Sequence, residues 1–107
     1  MKDVIAGSYS KVGLAALADA TYDQRGAAMD EVYSACAGKI IDYFFFDVDA
    51  GFIAIAEIPS REVHKGMLNN ALATGSTATL RSWCEVDLSA VTGSRRKAHD
   101  AFKPSTK

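Results

Sequence analysis

Several features are scarce or missing in this chain of 107 residues, and each absence excludes a class of function. No apolar run approaches the roughly 20 residues that a helix needs to cross a bilayer, so no membrane span and no membrane partner is expected. The N-terminal segment "MKDVIAGSYS" carries one lysine, then an acid, and no long apolar stretch, which is not the pattern of a signal peptide. These absences favour a cytoplasmic location.

An excess of charge of one sign is also missing. The chain has 12 Lys and Arg residues against 13 Asp and Glu residues, a formal net charge of −1, so no overall field attracts nucleic acid. The phosphate-binding patterns GxGxxG and GxxxxGK followed by Ser or Thr do not occur in the sequence. NAD, FAD and ATP are therefore not indicated, and no cofactor is predicted.

Cysteine is scarce as well. Cys36 and Cys84 form no CxxC pair and no Cys/His cluster, so no structural zinc site is predicted. Both fall within apolar periodic patterns, which predicts reduced, buried thiols that pack as small hydrophobic groups. Asp47 and Asp49 offer two carboxylates, too few for a calcium site, and are interpreted as part of a hairpin turn. No metal is expected.

The residues that are present have the pattern of a mixed fold. Four strands are predicted, at residues 4–9, 39–47, 52–58 and 76–86. Between the first two strands, Ser10 is expected to cap one long helix or two abutting segments that end near Gly38, while a second helix runs from a cap at Ser60 to about Thr74. The order β-α-β-β-α-β is typical of an α+β fold, the ferredoxin-like plait with a four-stranded antiparallel sheet.

The length and composition suit one globular domain, with 49% hydrophobic and 23% charged residues. We expect the plait to occupy residues 1–92. Residues 93–107 are expected to form a short C-terminal helix and a mobile tail, with Ser89 as the cap of the last helix and Gly93 as an interruption.

The segment "IIDYFFFDVDAGFIAIAEIPS", residues 40–60, predicts a hairpin in which both faces are apolar. Strict alternation puts Ile40, Asp42, Phe44 and Phe46 on one face of its first strand and Ile41, Tyr43, Phe45 and Asp47 on the other. In a plait the helices cover one side of the sheet, so alternating strands should turn polar residues to the other side. An uncovered apolar face marks an interaction surface, and stacking two such sheets across a two-fold axis covers both faces. The sequence therefore predicts a homodimer, or a higher oligomer built from dimers, as a dimeric α+β barrel.

The candidates for this interface are Phe44, Phe46, Phe52 and Trp83. In the alternative arrangement, the C-terminal segment of the same chain folds over the open face. That segment, "TGSRRKAHDAF", is too polar to cover much of a sheet.

Five residues are candidates for a ligand pocket: Tyr9, Arg25, Tyr43, Arg81 and Trp83. Tyr and Trp combine an apolar body with a polar tip, and Arg binds carboxylates through two parallel hydrogen bonds. The set suits a small planar or acidic organic molecule, held between sheet and helices or at the dimer interface.

Alternation divides the fourth strand into two faces. The helix-facing set is Ala78, Leu80, Ser82, Cys84 and Val86, and the other set is Thr77, Thr79, Arg81, Trp83 and Glu85. The alternative for this strand is an ion pair between Arg81 and Glu85, with Trp83 as packing.

Two histidines are interpreted without a chemical role. His64 lies beside the apolar stripe of the second main helix and is expected to be exposed or half-buried. His99 belongs to a basic stretch with Arg95, Arg96, Lys97 and Lys103, which is interpreted as a solvated tail because Phe102 is its one aromatic residue.

Several short elements together resemble the GYD domain family, small and largely uncharacterised bacterial and archaeal proteins with a ferredoxin-like plait. The resemblance covers about residues 4–92. It rests on "GSYSKVG" after the first strand, "AGKIIDYFF", "FIAIAEIPS" and "LATGSTATLR", and on Arg25 in the long helix. The Gly-Tyr-Asp signature itself is not retained, because Ala50 and Gly51 occupy the positions of its Tyr and Asp. The resemblance implies the plait and no specific activity.

Three functions remain open at this point. The first is a homodimeric module that binds a small organic molecule. The second, by analogy of fold, is a cofactor-independent enzyme of the dimeric α+β barrel type, such as a small monooxygenase or an isomerase. The third is a structural or assembly role. A roomy cavity with converging polar groups would favour the first two, whereas a cavity filled by Phe and Ile would favour the third.

Overall fold

The structure, a computed structural model, describes residues 1–47 and 50–102. Asp49, predicted to belong to a turn, and the tail from Lys103 lie outside the described residues. The elements in the described part follow in the order β1 (Lys2–Tyr9), α1 (Lys11–Ala16), α2 (Tyr22–Ala35), β2 (Lys39–Phe45), β3 (Gly51–Glu57), α3 (Arg61–Ala73), β4 (Thr77–Cys84) and α4 (Leu88–Ala101).

The four strands form one antiparallel sheet in the order β2-β3-β1-β4. β1 lies inside the sheet and pairs with β3 on one side and β4 on the other, while β2 extends the sheet beyond β3. This arrangement confirms the predicted α+β fold and its four-stranded antiparallel sheet. It is compatible with a ferredoxin-like plait, in which the first and third strands lie in the middle of the sheet.

The region between β1 and β2 contains two helices. Ser10 caps α1 as predicted, and its side chain accepts a hydrogen bond from the N–H of Gly13. Thr21 then caps α2 in a capping box: its side chain accepts from the N–H of Gln24, and the Gln24 side chain accepts from the N–H of Thr21. The extended backbone at Thr21 separates the two helices. Of the two predicted arrangements, the structure therefore has two helical segments and not one long helix.

The ends of the helices confirm two predictions and correct a third. Ser60 caps α3, and Gly75 follows this helix with a φ of 69°, a left-handed conformation that costs glycine little. At the end of α2, however, Ala37 and not Gly38 has the positive φ, of 60°. The helix ends one residue earlier than predicted, in a Schellman motif in which Gly38 donates its N–H to the carbonyl of Tyr33.

The hydrophobic core lies between the sheet and the helices α2 and α3. Its buried members are Ile5, Phe52, Ala56, Ile58, Tyr33 and Met67. Ala54 and Ala56 keep the middle of β3 thin, so large side chains from both helices can pack above it. The helices thus cover one face of the sheet.

A β-bulge in β2 changes the predicted division of that strand. Ile40 pairs with Ala56 and Asp42 pairs with Ile55, which leaves Ile41 without a partner between them. Ile40 therefore shares the helix-facing side with Tyr43 and Phe45, whereas strict alternation had grouped it with Phe44. The bulge still leaves Phe44 on the face away from the helices.

The predicted burial of Cys36 and the predicted exposure of His64 were both wrong. Cys36 follows the last turn of α2 and is exposed, while Cys84 on β4 is half-buried. His64, expected near the surface, is 5% exposed, because it turns from α3 toward Asp3 at the start of the sheet.

The last helix is longer than predicted and stands apart from the core. Asp87 caps α4 in place of the predicted Ser89 and accepts from the N–H groups of Ser89 and Ala90. The helix continues through Gly93, where an interruption had been predicted. All 14 residues of α4 are exposed, so this helix does not cover the open face of the sheet. Within the described part, no helix has both the length and the apolar character needed to cross a membrane.

Candidate functional site

The face of the sheet that is turned away from the helices is the candidate functional site. Directly paired residues share a face, so the strand register fixes its members. They are Val4, Ala6 and Ser8 on β1, Asp42 and Phe44 on β2, Gly51, Ile53 and Ile55 on β3, and Thr79, Arg81 and Trp83 on β4. This confirms the predicted division of β4, with the polar residues on the open face.

Apart from the exposed Asp42, the β2 and β3 half of this face is apolar and accessible to solvent. Phe44 is 38% exposed and Phe46 is 47% exposed, and their rings meet edge to face with centroids 5.2 Å apart. Ile53 and Ile55 continue the apolar surface toward the middle of the sheet. Neighbouring exposed side chains of this size form a patch that is typical of an interaction surface.

A depression of about 670 Å³ lies at the end of the same face, where β1 ends and β4 begins. Ser8, Thr79 and Arg81 contribute polar atoms to its lining, and Phe46 contributes an apolar wall. The hydroxyl groups of Ser8 and Thr79 are 2.7 Å apart and share one hydrogen bond. Each hydroxyl retains capacity for a further partner, because a hydroxyl can donate once and accept twice.

Arg81 is the cationic group of the depression. Its guanidinium carbon lies 5.5 Å from the ring centroid of Trp83, a cation–π contact along the strand. The alternative ion pair with Glu85 is not formed, since Glu85 instead accepts a hydrogen bond from the N–H of Lys2. Arg81 lines the depression together with Ser8, Thr79 and Phe46, and a guanidinium is suited to a small molecule that carries a carboxylate.

A second group of candidates lies on the opposite side of the sheet, beneath α2. Tyr43 stacks on Tyr22 with centroids 4.8 Å apart, and the Tyr22 hydroxyl donates to the Tyr43 carbonyl over 2.7 Å. Phe45 meets the Tyr22 ring edge to face. Gly26 makes room for this arrangement, because a β-carbon at that position would overlap the Tyr43 phenol. These rings therefore fill the space between β2 and α2.

Arg25 lies in the same aromatic group, and its guanidinium already contacts a backbone carbonyl and two aromatic rings. Its Nη2 donates to the carbonyl of Leu17 over 3.0 Å, which closes the end of α1. Its guanidinium carbon lies 5.1 Å from the Phe45 centroid and 6.0 Å from the Tyr9 centroid. Burial raises the pKa of Tyr9, an effect that the positive charge of Arg25 partly opposes. The cavity beside these residues is about 70 Å³, room for a few water molecules and too small for an organic ligand.

The predicted ligand residues therefore do not form one pocket. Arg81 and Trp83 lie on the open face, whereas Arg25 and Tyr43 lie on the helix side. Tyr9 lines both the small cavity and the edge of the open depression. Sequence reasoning missed Ser8. It placed Thr79 on the face of Arg81, by alternation along β4, but did not name Thr79 as a ligand candidate.

The predicted interface residues also divide. Phe44, Phe46 and Trp83 are on the open face, and Trp83 is 50% exposed. Phe52 is instead 8% exposed and packs against Tyr9 in the core, with ring centroids 4.9 Å apart. Its pairing with Phe45 turns both side chains toward the helices, so Phe52 is excluded from the open face.

A buried polar pair lies at the other end of the molecule. Asp3 is fully buried, and its Oδ2 lies 2.9 Å from Nδ1 of His64. Asp3 Oδ1 has no hydrogen-bond partner in the described part of the protein. Alternation along β1 offers one indication of this pair, because it places Asp3 on the same inward face as Ile5 and Gly7. Its enclosure indicates a role in holding α3 on the sheet.

Within residues 1–47 and 50–102, no three side chains of His, Cys, Asp or Glu converge in a group that could bind a metal ion. Comparison with protein-family models, with curated proteins and with solved structures finds no match to this chain. The resemblance to the GYD domain family stays a prediction from the sequence.

Proposed function

We propose that this protein is a homodimeric binding module that encloses a small organic acid between two stacked sheets. The observation that carries the proposal is the apolar open face, which borders a depression lined by Arg81 and two hydroxyls. Within one copy of the protein, Phe44 and Phe46 on this face remain exposed. A second copy offers the same face and would bury both.

The dimensions of the face suit this form of self-association. Four strands of seven or eight residues present a face of roughly 19 Å by 25 Å, on the order of 500 Å² in projection, at the usual strand spacing and rise. A stable dimer buries about 800 Å² per partner, which is the same order of magnitude. Two such faces packed about 10 Å apart would leave the apolar halves in contact. The depression would then become an internal cavity.

The lining of the depression favours a carboxylate ligand of modest size. Arg81 supplies parallel donors that match the two oxygens of a carboxylate, and enclosure by the second copy would strengthen this interaction by excluding water. Ser8 and Thr79 can each donate to or accept from a further polar group. Phe46 supplies an apolar wall for the body of the molecule. Neither His nor Cys nor an acidic residue lines the described depression, so we propose binding rather than catalysis.

Trp83 makes this proposal testable without a label. It is the one tryptophan in the chain and contacts the Arg81 guanidinium, so its emission should report on the cavity. Benzoate should change the emission in a saturable manner, whereas benzamide, of similar shape without the charge, should have little effect. Arg81→Gln should abolish the benzoate response and retain the fold. Equal responses to the two compounds, or an unchanged benzoate response in Arg81→Gln, would exclude Arg81 as the carboxylate ligand.

A further inference from the structure

The small cavity beside Arg25 and the depression of the open face are neighbours. They measure about 70 Å³ and about 670 Å³, and three residues line both: Tyr9, Phe46 and Gly51. These residues lie at one end of the sheet, where β1 ends and β3 begins. Gly51 contributes no side chain to the boundary between the two spaces. A molecule held in the depression therefore lies within reach of the small cavity.

Arg25, which lines the small cavity, has one hydrogen-bond donor without a partner. Its Nε is buried from solvent and makes no hydrogen bond within the described part of the protein, while its Nη2 donates to the Leu17 carbonyl. A buried donor without a partner has lost its hydration and gained nothing in return, so buried polar groups in folded proteins are almost always paired. The Nε–H therefore indicates a partner from outside these residues.

The positive charge of Arg25 also lacks a counter-charge. Among residues 1–47 and 50–102, no carboxylate forms an ion pair with Arg25, although this side chain is half-buried. Its guanidinium lies instead over the rings of Phe45 and Tyr9. Aromatic faces attract the cation but leave the in-plane Nε–H without an oxygen acceptor. An anionic group would satisfy both the charge and the unpaired donor.

Tyr9 lines both spaces and is compatible with an anion in either of them. Burial raises the pKa of its phenol, so the hydroxyl stays protonated at neutral pH. A protonated phenol carries no charge that would repel an anion, and it can donate a hydrogen bond. The ring itself is held in the core against Phe52. The boundary between the two spaces is therefore polar in character without being acidic.

The separation of the two arginines indicates the length of a ligand that reaches both. Arg81 pairs with Ala6 of β1. The strand ends three residues farther on, at Tyr9, which the guanidinium of Arg25 contacts. At the usual rise of a strand, this separation is roughly 10 Å. A dicarboxylate with a flexible apolar chain between its charged ends, such as suberate, has a length of this order, and Phe46 lines the path of the chain.

We infer that the ligand of this protein is a linear dicarboxylate, with one carboxylate bound by Arg81 in the depression and the other by the Nε–H of Arg25 in the small cavity. The inference rests on the proposed binding of a carboxylate at Arg81 and names the class of ligand more closely. The depression holds the chain of the molecule. The small cavity has room for a few water molecules, so it admits the terminal carboxylate and excludes a bulkier group.

Two ligands of equal length test the second anchor: suberate and its monoamide, which has a neutral amide at one end. Their affinities for the full chain are measured by the emission of Trp83. We expect suberate to bind about tenfold more tightly, because its second carboxylate makes a charge-assisted hydrogen bond in a site shielded from water. Arg25→Gln should remove this preference and leave the affinity for the monoamide within about twofold of the parent value. Lys11→Gln, which removes an exposed cation from α1, is the matched control and should keep the preference.

A second measurement uses the unsubstituted protein and does not depend on the folding of a variant at Arg25. Suberate should shift the Nε–H resonance of Arg25 in ¹⁵N spectra, where Arg25→Lys identifies the signal by its loss, and the monoamide should shift it less. A resonance that suberate leaves in place would overturn the inference, because water or a group of the protein itself would then satisfy this donor.

The same titrations separate this inference from the proposed function. Equal affinities for the two ligands, or a preference for suberate that persists in Arg25→Gln, would defeat the second anchor alone, provided that Arg81→Gln still abolishes binding of the monoamide. Failure of both ligands to bind the parent protein would defeat the carboxylate site at Arg81 and the dicarboxylate with it.

Discussion

Phe44→Asp is the substitution whose effect on the dimer follows most directly from the structure. A phenylalanine has roughly 200 Å² of surface, so the 38% exposure of Phe44 leaves about 80 Å² for a partner to cover. At about 25 cal/mol per Å², this burial contributes about 2 kcal/mol per copy and about 4 kcal/mol per dimer. Aspartate loses this contribution and adds a carboxylate that the partner would have to desolvate. We expect dimer affinity to fall by about 10³-fold or more.

Sedimentation velocity over a series of protein concentrations measures this change. The parent protein should sediment as a dimer at micromolar concentration, and Phe44→Asp as a monomer. Val12→Asp is the matched control, because Val12 is an exposed apolar residue on α1, away from the sheet face. Phe44→Leu should weaken the dimer only slightly. A dimer of unchanged affinity in Phe44→Asp would refute the assignment of the open face as the interface.

Three further predictions concern the interior. His64→Leu should lower the free energy of unfolding by about 3–5 kcal/mol, because it leaves the Asp3 carboxylate buried without a partner; a loss below about 1 kcal/mol in urea unfolding would contradict this. Gly26→Ala should cost about 1–3 kcal/mol, because the new methyl group displaces the Tyr43 ring; near-ultraviolet circular dichroism should change with it, and an unchanged spectrum would argue against the close contact. Burial, aided by the Asp3 charge, raises the pKa of Tyr33, so the unfolded chain releases this proton at lower pH than the folded protein. Stability should therefore decline above about pH 10, and Tyr33→Phe should reduce that decline; equal urea midpoints at each alkaline pH would count against it.

Much of the fold was predictable because helix-capping residues and strand alternation, which are both visible in the sequence, indicated the same elements. Ser10 and Ser60 have the hydroxyl that a helix N-terminus requires, and both cap helices in the structure. Alternation along β4 correctly separated Arg81 and Trp83 from Leu80. The bulge at Ile41 was not predictable, because the extra residue becomes evident only in the register with β3.

The candidate site was harder to predict than the fold. Residue type made Arg25 and Arg81 equal candidates for a ligand pocket, but their surroundings in the fold differ. Arg25 donates a hydrogen bond to the Leu17 carbonyl, whereas Arg81 lines an open depression. Phe52 and Phe44 are the same residue type and both lie in strands with two apolar faces. Only the pairing of the strands shows that Phe52 points into the core and Phe44 to the open face. Contacts between residues distant in sequence determine these differences, as they do for Asp3 and His64.

Native mass spectrometry of the parent protein, purified without added ligand, tests the central proposal most directly. It reports the number of subunits and any retained small molecule in one spectrum. The account predicts a species of twice the chain mass, with a further increment of small-molecule size if the cavity is occupied after purification. A monomer at micromolar concentration would contradict the account, because the apolar face of Phe44 and Phe46 would then remain uncovered by a second copy.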